Sequence, residues 1–173
     1  TARTLHRYLD KHRLAKARNL ACETYSIKLS YIIATYNRGN ILAERTIPAL
    51  LSQTMEDIEI IVVGDHVIDD TEDRLTQIND PRFAFHDLPT RGRDPTNPDD
   101  RWFVQGTVPR NHGMKIARGK WLCFPSDDDV LHKDHAKRML EFAESQCVEF
   151  AGALCTEHRN GNDQIAGKND LGY

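Results

Sequence analysis

Apolar residues along the chain fall into short, dense runs separated by polar and turn-forming stretches. Leu29–Ala34 and Ile58–Val63 are apolar apart from Ser30 and Glu59 and rich in β-branched residues, the pattern of strands covered on both faces of a parallel sheet. The first run is bounded by Asn37-Arg38-Gly39-Asn40, which is turn chemistry. Between the two, Ile41, Leu42, Ile47, Leu50 and Leu51 recur at helical spacing, and Pro48 predicts a kink or a restart there. Further along, Asp69 and Asp70 could cap a helix running to Ile78, and residues 82–86 read as a short third strand. A helix from about Val108 to Ala117, a strand over Lys120–Phe124, a helix over His132–Ser145 and a strand over Val148–Leu154 follow. Strands alternating with helices imply an α/β fold, a mostly parallel sheet flanked by helices. In such sheets ligands bind at the carboxyl ends of the strands.

Two segments stand outside this rhythm. Residues 1–28 form a basic extension, read as helical over 3–21, and a membrane-surface role for it is an alternative to a solvated face. Residues 161–173 read as a polar, poorly ordered tail, leaving 29–160 as the α/β domain. Within that domain, Leu88–Gly106 is a long irregular stretch carrying Arg91, Arg93 and Arg101. Loops of that length in compact domains are usually functional, and a lid closing over a bound diphosphate is the expectation.

With 173 residues the chain is long enough to bury a core, and 39% hydrophobic against 28% charged residues suits a globular domain. The net charge of −3 supplies no basic field for nucleic acid, and no apolar run approaches a membrane span. Cys22, Cys123, Cys147 and Cys155 form no C-x-x-C pair; buried free thiols in a reducing, cytoplasmic setting are expected.

The sheet-end rule selects three places: Thr35-Tyr36-Asn37-Arg38, Gly64-Asp65-His66 and Ser126-Asp127-Asp128-Asp129. An aromatic ring can stack on a base, and a lone carboxylate can accept from a base or ribose. Clustered carboxylates can hold a hard divalent cation, which neutralises a diphosphate. Taken singly, each has a plainer reading as a packed ring or as turn and cap residues.

Their order along the chain is more telling. Ser30-Tyr31-Ile32-Ile33-Ala34-Thr35-Tyr36-Asn37-Arg38 resembles the opening strand of inverting family-2 glycosyltransferases, which reads V-S-V-I-I-P-T-Y-N-R. Leu50-Leu51-Ser52-Gln53-Thr54 with residues 57–63 is similar to that family's S-L-L-x-Q-T…D-x-E-I-I-V-V-D-D. Pro109-Arg110-Asn111-His112-Gly113, then Ala117-Arg118-Gly119-Lys120-Trp121, resembles A-R-N-x-G…A-x-G-x-Y. The acidic triplet falls where the family has its D-x-D metal motif.

The resemblance implies a GT-A type fold and transfer of a sugar, with inversion, from a nucleotide-diphosphate sugar. A UDP-sugar with Mn²⁺ or Mg²⁺ is the implied donor, and the acceptor (saccharide, lipid or protein) stays open. It implies a nucleotide site of Thr35, Tyr36, Arg38, Asp65, Arg110 and Asp127, and a metal site of Asp128 with Asp127 and Asp129. Gly64 replaces the first of the two family aspartates after the second strand, and Ser126 replaces the first of D-x-D. The family's general base is expected beyond Tyr173, so the acceptor half is expected to be truncated. A non-catalytic nucleotide-sugar-binding or scaffold domain, a fragment of a larger glycosyltransferase, is the alternative.

Overall fold

A computed structural model describes residues 26–93, 95–159 and 162–166; the basic extension expected over 3–21 lies outside these. Four parallel strands form the central sheet: β1 (Leu29–Thr35), β2 (Ile58–Gly64), β3 (Phe83–Asp87) and β4 (Trp121–Cys123), in the order β3-β2-β1-β4. The register pairs Leu29 with Ile58 and Thr35 with Gly64. β1 and β2 therefore end level, and the residues after them emerge side by side.

Both faces of the sheet are covered, as the continuous apolar runs require. On one face Tyr31, Ile33, Ile60 and Val62 join Leu42, Ile47, Leu50, Leu75 and Leu140 in a single buried cluster. These last residues come from a helical run after β1, from α3 (Thr71–Leu75) and from α6 (His135–Ser145). On the other face Ile32 and Val63 lie under Gly113 of α5 (Thr107–Ile116).

The run after β1 restarts as an α-helix with Pro48 in its first turn. It comprises α1 (Gly39–Ile41), a π-helical turn (Leu42–Thr46) and α2 (Ile47–Leu51). The wide turn absorbs the irregularity just ahead of the proline, as π-bulges do. It also presents Thr46, whose hydroxyl donates to the Asp127 carbonyl at 2.9 Å.

Two of the motifs prove to be fasteners of the fold. Gln53 accepts from the Ala136 N–H and donates to the His132 carbonyl, each at 2.9 Å, tying the end of α2 to the start of α6. Glu59, buried in β2, accepts from Ser30, from the Arg118 N–H and from the Arg118 guanidinium. Burial alone would raise its carboxyl; these donors outweigh it and hold the group below its ordinary range. Gly119 passes so close to β1 that a Cβ would meet the Ser30 nitrogen at 2.6 Å.

Several expectations need correction. The capped helix ends at Leu75 rather than Ile78, and its first N–H is capped by Asp69, not Asp70. Inside the irregular stretch stands α4 (Pro98–Val104), with Asn97 as its N-cap and Pro98 in its first turn. Val148–Leu154 is not a strand. α6 closes with Cys147 at φ 52 and a Val148 N–H to Ala143 carbonyl bond, a Schellman stop. The strands come later, as an antiparallel pair of β5 (Cys155–Arg159) and β6 (Asn162–Ala166), so part of the segment expected as a tail is structured. Cys147 and Cys155 are consequently exposed, and only Cys123 of the described thiols packs against the core. Among the described residues no helix is long and apolar enough to cross a membrane.

Candidate functional site: a cleft at the strand ends

At the carboxyl edge of the sheet lies a cleft of about 510 Å³. Thr35, Tyr36, Arg38, Asp65, Arg110, Asp127 and Asp128 line it, together with Arg91, Gln105 and Gly106. Seven residues singled out from sequence thus share one cavity.

Chain direction at the end of β1 is set by Asn37 in the left-handed region, at φ 54. Asn tolerates that conformation because its short side chain bonds locally; here its Oδ1 accepts from the Ile68 N–H at 2.9 Å. The turn leaves Tyr36 half-buried on the cleft wall and sends Arg38 across to the acidic loop after β4.

At the end of β2, Gly64 leaves room for a side chain of the neighbouring strand. A Cβ at Gly64 would lie 2.4 Å from Oδ1 of Asp87 on β3. That same oxygen accepts from the Val67 N–H at 3.1 Å. A carboxylate reaches this turn from the neighbouring strand, a role that residue order alone does not disclose. Asp65 follows, buried, and its Oδ1 accepts from the Gly92 N–H at 2.9 Å. His66 then takes φ 60 to complete the turn.

The acidic triplet divides. Asp127 is buried and accepts from the Thr35 hydroxyl and from Arg38 Nη1, both at 2.9 Å. Burial pushes its carboxyl above the usual range, against the pull of the Thr35 hydroxyl and the Arg38 charge. Asp128 accepts from the other arm of the same guanidinium at 3.1 Å. Asp129 turns away: its Oδ2 accepts from the Ser126 N–H at 2.7 Å, so it caps the loop and does not line the cleft. The metal set of three carboxylates is therefore not assembled, and among the described residues no three His, Cys, Asp or Glu side chains stand together as a metal-holding group. Asp127 and Asp128 do offer hard oxygen donors. The two arms of the Arg38 guanidinium occupy the space between them, and carboxylate oxygens of this kind are what hard divalent ions take.

Arg110 stands in the first turns of α5, above the left-handed Gly106 (φ 76), and its Nη1 donates to the Gln105 carbonyl at 3.2 Å. Arg91 was legible only as one of several arginines in the irregular stretch. In the structure its Cζ lies 3.7 Å from the centroid of the Tyr36 ring.

The pattern described as Glycosyl transferase family 2 matches residues 30–94 and 107–170. The chain belongs to that family. Succinoglycan biosynthesis protein ExoO of Rhizobium meliloti is 29% identical over 123 residues, 71% of this chain and 32% of the relative. The Escherichia coli UDP-Glc:alpha-D-GlcNAc-diphosphoundecaprenol beta-1,3-glucosyltransferase WfaP is 31% identical over 124 residues, 71% of this chain and 44% of the relative. Among solved structures, S. aureus TarS 1-349 in complex with UDP superposes with a TM-score of 0.57 at 23% identity, over 73% of this chain and 38% of that one. That likeness shows the fold to be of the family's GT-A type. The chain spans less than half the length of each of these proteins.

Proposed function

We propose that this chain is the donor-binding part of a metal-dependent, inverting glycosyltransferase that uses a UDP-sugar. The observation that carries the reading is a single cleft with an aromatic ring and a buried lone carboxylate, Tyr36 and Asp65, sharing its walls with the Asp127–Asp128 pair. Tyr36 would stack on the base, and Asp65 would accept its ring N–H, a bond that cytosine cannot offer at that position. Arg110 at the start of α5 would meet the diphosphate with a planar fork of donors. Asp127 and Asp128 would hold Mn²⁺ or Mg²⁺, which when bound neutralises charge on the departing nucleoside diphosphate. Arg38 would exchange its carboxylate partners for phosphate oxygens as the ion enters. The acceptor hydroxyl needs a general base, and none of the residues placed in the cleft is assigned that role.

Nucleotide preference tests the reading. UDP should bind at least about fivefold more tightly than CDP, because a buried acceptor left without its donor costs about 1–3 kcal/mol. Asp65→Asn should narrow the gap, and Tyr36→Ala should weaken both nucleotides. Equal affinity for UDP, CDP, GDP and ADP in calorimetry would remove the base-reading role of Asp65. No binding of any of them would leave a scaffold domain.

A further inference from the structure

One contact in the cleft falls outside the roles assigned to its residues above. The segment after β3 returns across the base subsite and meets both of its recognition groups at once. Arg91 lays its guanidinium 3.7 Å from the centroid of the Tyr36 ring, within the range of a cation–π contact. The next residue, Gly92, donates its N–H to Asp65 Oδ1 at 2.9 Å, while Arg91 Nε lies 3.7 Å from Asp65 Oδ2. A base stacked on Tyr36 and donating a ring N–H to Asp65 needs that ring and that carboxylate. A planar delocalised group and a peptide N–H, contributed by two adjacent residues, supply the same two interactions. Gly92 suits the approach: a Cβ there would already be 3.1 Å from Val108 Cγ2 and 3.6 Å from the Asp65 oxygen it serves.

We infer that Arg91-Gly92 is an internal mimic of the nucleobase, and that uridine nucleotides bind by displacing it from Tyr36 and Asp65. The inference rests on the base-subsite assignment of the proposed function. Closure of the subsite lowers apparent affinity by the fraction of molecules that are open. The penalty falls on the base and not on the phosphates, so it applies equally to uridine and to UDP.

The test is a calorimetric titration of the full chain and its Arg91→Ala variant with uridine and, separately, UDP plus Mn²⁺. The variant is expected to bind both ligands about 3- to 10-fold more tightly. Arg91→Lys keeps the charge and loses the plane, and it is expected to tighten uridine as well. In the wild type, the Gly92 amide should exchange its hydrogen faster when uridine is bound, since it loses its acceptor. Weaker or unchanged uridine binding by Arg91→Ala, with measurable wild-type binding, overturns the mimic and leaves the base subsite standing. A wild-type value for Arg91→Lys assigns the effect to charge and overturns the mimicry. If neither the wild type nor Arg91→Ala binds uridine or UDP, the base subsite itself is refuted, and the mimic with it.

Discussion

Gly113→Ala adds one methyl group where α5 crosses the sheet, and the structure sets the outcome in advance. The new Cβ would stand 2.4 Å from Ile32 Cγ2 and 3.5 Å from Val63 Cγ2. Carbon atoms in contact settle about 3.5–4.0 Å apart, so the first contact is short by more than about 1 Å. Ile32 is fully buried and β-branched, and cannot swing its methyl aside. Alanine gains about 1 kcal/mol over glycine within a helix. Overpacking a close-packed core costs about 1–3 kcal/mol, and an overlap this large belongs at the upper end. The net expectation is a loss of about 1–2 kcal/mol, or roughly 2–8 °C in Tm for a chain of this size. The helix can relieve the clash by lifting from the sheet, and Gly106, Pro109 and Arg110 at its start line the cleft. UDP binding should therefore weaken together with stability. Urea and thermal unfolding followed by far-UV circular dichroism measure the first effect, and calorimetry the second. A variant more stable than the wild type would show that helix propensity outweighs the contact and refute the packing argument. Ile32→Ala removes the offending methyl, so the double variant should lose less than the sum of the singles; strict additivity would contradict the same reasoning.

Two further expectations concern carboxylates. Glu59 is held below its ordinary value of 4.5, so its contribution to stability is complete above that value and is lost as pH falls through the lowered one. Glu59→Gln should cost about 1–3 kcal/mol at neutral pH, and the gap in Tm between variant and wild type should close as pH drops below 4.5; a gap independent of pH would rule out the ion pair as its source. Asp129→Ala should cost about 0.5–1.5 kcal/mol through the lost bond to the Ser126 N–H while leaving Mn²⁺-dependent UDP affinity intact; loss of that affinity would return Asp129 to the metal site.

Much of this fold was legible in the sequence because a parallel sheet leaves a coarse signature. β1 and β2 are buried along nearly their whole length, and their apolar runs announce it. The cleft followed from the same signature, since the level ends of β1 and β2 bring Thr35, Tyr36 and Asp65 together and the loop after β4 carries Asp127 and Asp128 to them. What escaped depends on tertiary pairing. Asp87 belongs to the turn after β2 because β3 is its neighbour, a matter of register rather than order. The run Val148–Leu154 has a strand's composition, but α6 closes on a left-handed residue, and Phe150 and Leu154 remain exposed. The triplet Asp127–Asp129 looks uniform on paper, yet one member caps a loop while the other two share an arginine. α4 did carry a local signal, an Asn cap followed by proline, inside a stretch dominated by turn residues.

The proposed function requires the cleft to bind a nucleoside diphosphate through a cation held by Asp127 and Asp128. Calorimetric titration of UDP with and without Mn²⁺, on the wild type and on Asp128→Ala, tests it most directly. Mn²⁺ is expected to strengthen UDP binding to the wild type by about tenfold or more, several kcal/mol being available from a cation on a diphosphate. Asp128→Ala should remain folded and show no dependence on the metal. Metal-independent UDP binding by the wild type, or an undiminished Mn²⁺ effect in Asp128→Ala, would contradict it.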